Sequence, residues 1–174
     1  MLKGEKIRLR ALEPADIDLL YEWENNADIW RISDSNAPFS RNILEQYINT
    51  APDIYLQRQM RVVVELRGKP AKPIGCIDLF DFDPHHRRIG LGILIADKSE
   101  RRKGYATEAL QLVLQYCFGF LACHQVYCNI EADNPASLGL FKNLKFVVSG
   151  HKKEWVRHGN TFRDELFLQC FNQA

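Results

Sequence analysis

The order of apolar and charged residues along the chain predicts alternating strands and helices. KIRLRAL, Lys6 to Leu12, sets apolar against charged residues with a period of two, as a half-buried strand does, and Glu13-Pro14 stops it and opens a helix. In that helix Ile17, Leu20, Tyr21 and Trp23 gather toward one side, while Asp16, Asp18, Glu22 and Glu24 stay polar. Residues 25 to 39 read as a loop rich in Asn, Ser, Asp and Pro. Its Trp30 and Phe39 either face a substrate or peg the loop to the core. Ser40 is the natural N-cap of a second helix reaching Thr50.

The period then changes. RVVVEL, PIGCIDLFDF and RIGLGILIA are β-branched runs separated by the turn signals RGKPAKP and DPHH, which predicts antiparallel strands over 61–67, 73–82 and 87–96. After ERRKG the spacing becomes helical, with Ala106, Ala109, Leu110, Val113 and Cys117 forming one apolar stripe. QVYCNIE (125–131) is a further strand, Pro135 opens a helix to about Leu144, and two strands over 145–156 and 162–171 flank HGN. A strand, a crossover helix and another strand make a βαβ unit with parallel strands. The predicted fold is mixed α/β: a mostly antiparallel central sheet with one parallel, splayed βαβ unit and flanking helices.

Composition narrows the function. The 174 residues suit one domain, 1–174. The 23 Lys and Arg against 22 Asp and Glu leave no overall field to capture nucleic acid or an anionic membrane. Five cysteines without a CxxC pair suggest reduced, buried thiols rather than a disulfide framework or a metal site. With no apolar signal core at the N-terminus and no membrane-spanning run, a cytoplasmic protein is expected.

The most informative stretch is ERRKGYATEAL, Glu100 to Leu110. A helix start leaves about four backbone N–H groups unpaired and carries partial positive charge, and a glycine beside it lets the chain turn closely round a ligand, so the stretch has the makings of an anion site. It has neither the GxGxxG of dinucleotide folds nor the GxxxxGK[ST] of a P-loop. Arg101-Arg102-Lys103-Gly104-Tyr105-Ala106 instead fits the [QR]xxGx[GA] pattern and resembles the GNAT superfamily of N-acetyltransferases. The pattern follows the strand IGLGILIADK and precedes NPASLGLFKNLKF, which is similar to the superfamily's second element. Two branches look nearest: the spermidine-type acetyltransferases, and those of ribosomal-protein N-termini, whose NxxS element Asn134 to Ser137 resembles.

The resemblance implies acetyl-CoA as donor and a small amine, such as a polyamine, or a peptide N-terminus as acceptor. It implies no nucleic acid, membrane or metal, and a homo-oligomer is compatible with it. It places the backbone of Ile93, Leu94 and Ile95 along the pantetheine arm and Arg101, Arg102, Lys103, Gly104, Tyr105, Ala106 and Thr107 round the pyrophosphate. Asn134, Ser137 and Phe141 fall near the pantetheine and sulfur. The chain departs from the pattern in three places. Phe141 stands where many relatives carry a proton-donating Tyr, Lys145 replaces a glycine, and Gly90 replaces an acid frequent in the central strand.

Ser137 is the remaining candidate donor to the leaving thiol, although a serine in the first helical turn also serves as a cap. Asp78, Asp81, Asp83, His85 and Glu131 are candidate bases with none preferred, and the Asp83 to Arg88 group also reads as plain turn residues. Glu22, Glu24, Asp28 and Asp34 could face a polycation or simply be solvated. A non-catalytic acetyl-CoA-binding module is the alternative.

Overall fold

The computed structural model describes residues 2–30, 37–50 and 53–173. Eight strands form one sheet: β1 (Leu2–Lys3), β2 (Ile7–Ala11), β3 (Met60–Leu66), β4 (Lys72–Asp83), β5 (Arg88–Ile95), β6 (Gln125–Glu131), β7 (Val147–His158) and β8 (Thr161–Phe171). Their order is β1-β2-β3-β4-β5-β6-β8-β7. All neighbours are antiparallel except β5 and β6, the parallel pair that the crossover pattern predicts.

That pair is short. Arg88, Ile89 and Gly90 face Gln125, Val126 and Tyr127, and no pairing continues beyond Gly90 and Tyr127. Yet β5 stays on β4 to Ile95, and β6 stays on β8 to Glu131. Each strand follows its outer neighbour, so a wedge opens between them.

The helices are α1 (Ile17–Glu24), α2 (Ala27–Trp30), α3 (Arg41–Asn49), α4 (Ile54–Gln57), α5 (Tyr105–Gln115) and α6 (Pro135–Asn143). The crossover helix α5 covers one face of the sheet. It buries Ala109, Leu110, Val113 and Leu114 against Ile77, Leu79, Ile89, Leu91, Val126 and Cys128. Its Glu108 carboxylate accepts from Lys6 N at 3.0 Å and Ile7 N at 3.4 Å, tying it to β2. On the other face Leu20 of α1 packs with Leu44 and Ile48 of α3, while Trp23 and Ile29 pack with Cys76, Leu94 and Ala96.

Pro14 opens a 3-10 turn, Pro14–Asp16, before α1, and Ser40 Oγ accepts from Ile43 N as the expected cap of α3. Pattern reading missed the short β1, α2 and α4. Two to four residues hold too few periodic positions to stand out. Trp30, expected in a loop, ends α2 and donates its indole N–H to Glu24 O at 2.5 Å. Asp34, with the rest of 31–36 in the expected loop, lies outside the described residues. Tyr21 does not join the buried stripe of α1; it is exposed, with the Arg41 guanidinium over its ring. All five cysteines are buried free thiols. Among the described residues no helix is long and apolar enough to cross a membrane.

Candidate functional site

The open edge of β5 follows from strand alternation. Ala96 N donates to Ile74 O on β4, and Leu94 pairs with Cys76, so their backbone groups point to β4. Ile93 and Ile95 therefore turn their N–H and C=O groups the opposite way, into the wedge. Arg101 Nε donates to Ile95 O there at 2.8 Å. Of the three residues expected along a donor arm, Ile93 and Ile95 present backbone to the wedge, and Leu94 presents it to β4.

At the head of the wedge a 3-10 turn, Lys98–Glu100, leads into α5. Its cap, Asp97, accepts from Ser99 N at 2.9 Å, and Lys72 and Ser99 hold its carboxyl down at about 2. Glu100 accepts from Lys103 Nζ at 2.7 Å and Lys72 Nζ at 3.0 Å, which hold its carboxyl below the ordinary value. Of the three consecutive cations, Arg101 is thus engaged with the backbone and Lys103 with a carboxylate. Arg102 and Gly104 adopt φ of 62° and 87°, turning the chain sharply before Tyr105. The first amide with an acceptor is Glu108 N, bonded to Gly104 O at 3.1 Å; among the described residues none receives the amides of 102–107. A run of unpaired, half-exposed amides at the start of an eleven-residue helix suits an anion through its backbone dipoles.

Across the wedge, α6 begins at Asn134, whose Oδ1 accepts from Ser137 N at 3.1 Å. Asn134 thus works as the helix cap, and the half-buried Ser137 keeps its hydroxyl uncommitted among the described residues. Phe141 is 3% exposed, edge-on to Phe146 with ring centroids 5.0 Å apart, and sits inside the core.

The face opposite α5 carries two cavities on either side of Phe80. The smaller, about 270 Å³, is lined by Leu20, Phe39, Leu44, Tyr47 and Phe80, with Glu24, Arg61 and Asp78 at its polar end. Arg61 forms a fork with Asp78, at 2.5 and 3.0 Å, and also binds Glu24. Both carboxylates therefore share one half-buried cation. The larger cavity, about 680 Å³, includes Asp81, Asp83, Arg88, Tyr127, Asn129 and Phe167. The Phe80, Tyr127 and Phe167 rings form a continuous wall, with centroids 6.0 and 5.3 Å apart. A β-carbon at Gly90 would run into the Phe80 ring, so this aromatic takes the space that an acidic side chain at position 90 would need.

Sequence reasoning saw neither the Arg61 clamp nor the aromatic wall. The signal available was the alternation of QVYCNIE, which puts Tyr127 and Asn129 on the face opposite Val126 and Cys128. What stands on that face from β4 depends on register. The remaining acids are largely engaged: Asp28 with Lys98, Asp83 with Arg88 and the His86 amide, and Glu131 with His158. Glu22 is exposed, as is His85, whose ring lies edge-on to that of His86. Among the described residues no group of three or more His, Cys, Asp or Glu could hold a metal ion.

The profile of the acetyltransferase (GNAT) domain family matches residues 6–147. Spermidine N(1)-acetyltransferase of Vibrio cholerae is 30% identical over 151 residues, covering 87% of this chain and 84% of that one. Among solved structures, spermidine N-acetyltransferase from Vibrio cholerae in complex with CoA and spermine is 27% identical, with a TM-score of 0.85 and coverage of 97% and 96%. A dodecameric structure of the Vibrio cholerae spermidine N-acetyltransferase in an intermediate state aligns with a TM-score of 0.80 at 26% identity, covering 97% and 95%. These likenesses give no support to the ribosomal-protein branch.

Proposed function

Because the chain belongs to the acetyltransferase (GNAT) domain family, we propose that it is an N-acetyltransferase that moves the acetyl group of acetyl-CoA directly onto a primary amine. Spermidine-type polyamines are its first acceptor class. The observation that carries this reading is the continuity of the wedge: the β5 edge at Ile93 and Ile95, engaged among the described residues only where Arg101 takes Ile95 O, leads to the unpaired amides of 102–107. A ligand with an extended amide-bearing arm and a diphosphate needs that sequence of surfaces, and acetyl-CoA has both. The segment Arg101 to Thr107 surrounds the diphosphate with the free amides of 102–107, Arg102 adds charge, and the Ile93 and Ile95 backbone pairs with the arm. Asn134 fixes the start of α6, so that the Ser137 hydroxyl faces the thiol end.

The chemistry asks little more of the chain. A thiol of pKa ~8.5 leaves as thiolate without full protonation, so Ser137 need only donate a hydrogen bond, and buried Phe141 cannot. The acceptor ammonium, pKa ~10.4, has to lose a proton before it can attack. The polyamine assignment rests on the spermidine acetyltransferases that the chain resembles over most of its length. The whole chain, 1–174, acts as one domain in the cytoplasm, where its thiols stay reduced, and it forms a homo-oligomer, as its dodecameric look-alike does.

Thiol release from acetyl-CoA, measured over polyamines, aminoglycosides, amino acids and peptides with mass confirmation of the product, tests the proposal. Release with spermidine or spermine and a slower Ser137→Ala variant are expected. Binding of acetyl-CoA without release across the panel would favour the non-catalytic module instead, the reading for which the Tyr-to-Phe difference at Phe141 speaks.

A further inference from the structure

Resting on the acetyltransferase reading, we propose that Tyr127 is a catalytic residue that takes the proton from the acceptor ammonium and relays its own to Asp81.

The Tyr127 side chain lies at the apex of the wedge. Gly90 and Tyr127 are the last residues paired between β5 and β6. An arm anchored at the 102–107 amides and laid along Ile95 and Ile93 comes to its end there. Val126 and Cys128 are buried in the core beneath α5, so the side chain between them, Tyr127, projects to the opposite face. On that face the Phe80 ring covers Gly90, so Tyr127 is the first polar group that an amine meets as it approaches the apex. Its flanking rings, Phe80 and Phe167, offer π faces that attract an ammonium.

The Tyr127 hydroxyl donates to Asp81 Oδ2 at 3.3 Å, leaving the phenol oxygen free to accept from the amine. Asp81 differs from the other candidate acids in its partner. Asp78, Asp83 and Glu131 bond to Arg61, Arg88 and His158, whereas Asp81 receives a neutral hydroxyl that can pass a proton. Asp81 sits at φ 50°, where the pairing of β4 with β5 is interrupted, and is exposed, so it can release the proton to water. Arg58, Asp83 and Arg88 also face this cavity, as does Lys152, itself paired with Glu165 at 2.7 Å. Burial first, and then Asp81, push the phenol up to about 12, so it stays protonated over the working range and acts as a relay rather than a phenolate base.

The step balances. The ammonium N–H bond breaks and its proton goes to the Tyr127 oxygen as the Tyr127 proton goes to Asp81. The freed lone pair forms the N–C bond as the C–S bond breaks and its electron pair leaves on sulfur; a second N–H bond of the acylated nitrogen then breaks, its electron pair stays on nitrogen to give the neutral amide, and its proton goes to the departing thiolate.

The test is the pH profile of kcat/KM for Tyr127→Phe and Asp81→Asn, with acetyl-CoA affinity measured alongside. Loss of a general base costs about 10²-fold near pH 7. Because the free amine needs no base, the deficit should shrink as pH rises toward ~10, with acetyl-CoA affinity unchanged in both variants. Asp81→Asn keeps the aromatic wall and so separates proton transfer from packing. Wild-type rates in either variant, or a deficit constant with pH, overturn the relay while leaving the acetyltransferase reading intact. A wild-type protein inert toward every amine overturns both.

Discussion

At Gly104 the chain stands at φ 87°, and a β-carbon there would meet nothing within 4 Å. The glycine is needed for its backbone angle and for open access to the amides, not for close packing. An L residue in the left-handed region costs about 1–2 kcal/mol, so Gly104→Ala should weaken the loop modestly. Gly104→Glu adds a negative charge over the amides of 102–107. Calorimetry with acetyl-CoA should show Gly104→Ala binding weakly and Gly104→Glu not at all, and unchanged affinity in the second would remove the donor site from this loop. Tertiary contacts also divide the three cations that the sequence presents as one cluster: Lys103 is spent on Glu100 and Arg101 on Ile95 O, so less of the local charge faces outward than the count suggests.

Among the elements, the 3-10 turn before α1 hangs on one ion cluster. Arg10 binds Asp16 through two nitrogens, at 2.6 and 2.8 Å, and reaches Glu65 at 3.0 Å, while Arg8 also binds Glu65. Asp16 closes the turn further by accepting from Glu13 N at 2.9 Å. Burial pushes the Asp16 carboxyl up, but the Arg10 guanidinium and the Glu13 amide together hold it below the ordinary carboxylate value. A carboxyl depressed in the folded state adds stability that is present above its unfolded pKa, ~3.9, and is lost as pH falls through the lower folded value. Asp16→Asn should cost about 2 kcal/mol at neutral pH and flatten the decline of stability between about pH 4 and the acid limit. Urea titrations of both proteins at several pH values measure this; parallel declines would show that Asp16 is not the linked group. Glu13 and Asp16 lie near Arg10 in the sequence, but Glu65 is 55 residues away, and only pairing of β2 with β3 brings Arg10 to it. The helices themselves were easier to read, since Ser40, Pro135 and the stripe of α5 act over a few residues.

Over the whole molecule, the five thiols report on the integrity of the core. Cys76 and Cys128 are pushed up to about 12 and Cys123 to about 11 by burial, and Cys117 is raised as well. A thiol-reactive disulfide reagent should therefore label the native protein only as fast as it opens, and all five sites in denaturant. Rapid labelling of the native form would mean that the sheet is loosely packed at the wedge. By itself the sequence determined the order of the longer strands and helices, the parallel crossover that a strand-helix-strand order entails, and the glycine turn before α5, because each is written in local patterns of residues. Tertiary structure alone decided where β5 leaves β6, which backbone groups line that wedge, that Arg61 clamps Glu24 and Asp78, and that Tyr127 meets Asp81. Those depend on register between strands dozens of residues apart, where a shift of one residue would turn every side chain to the other face.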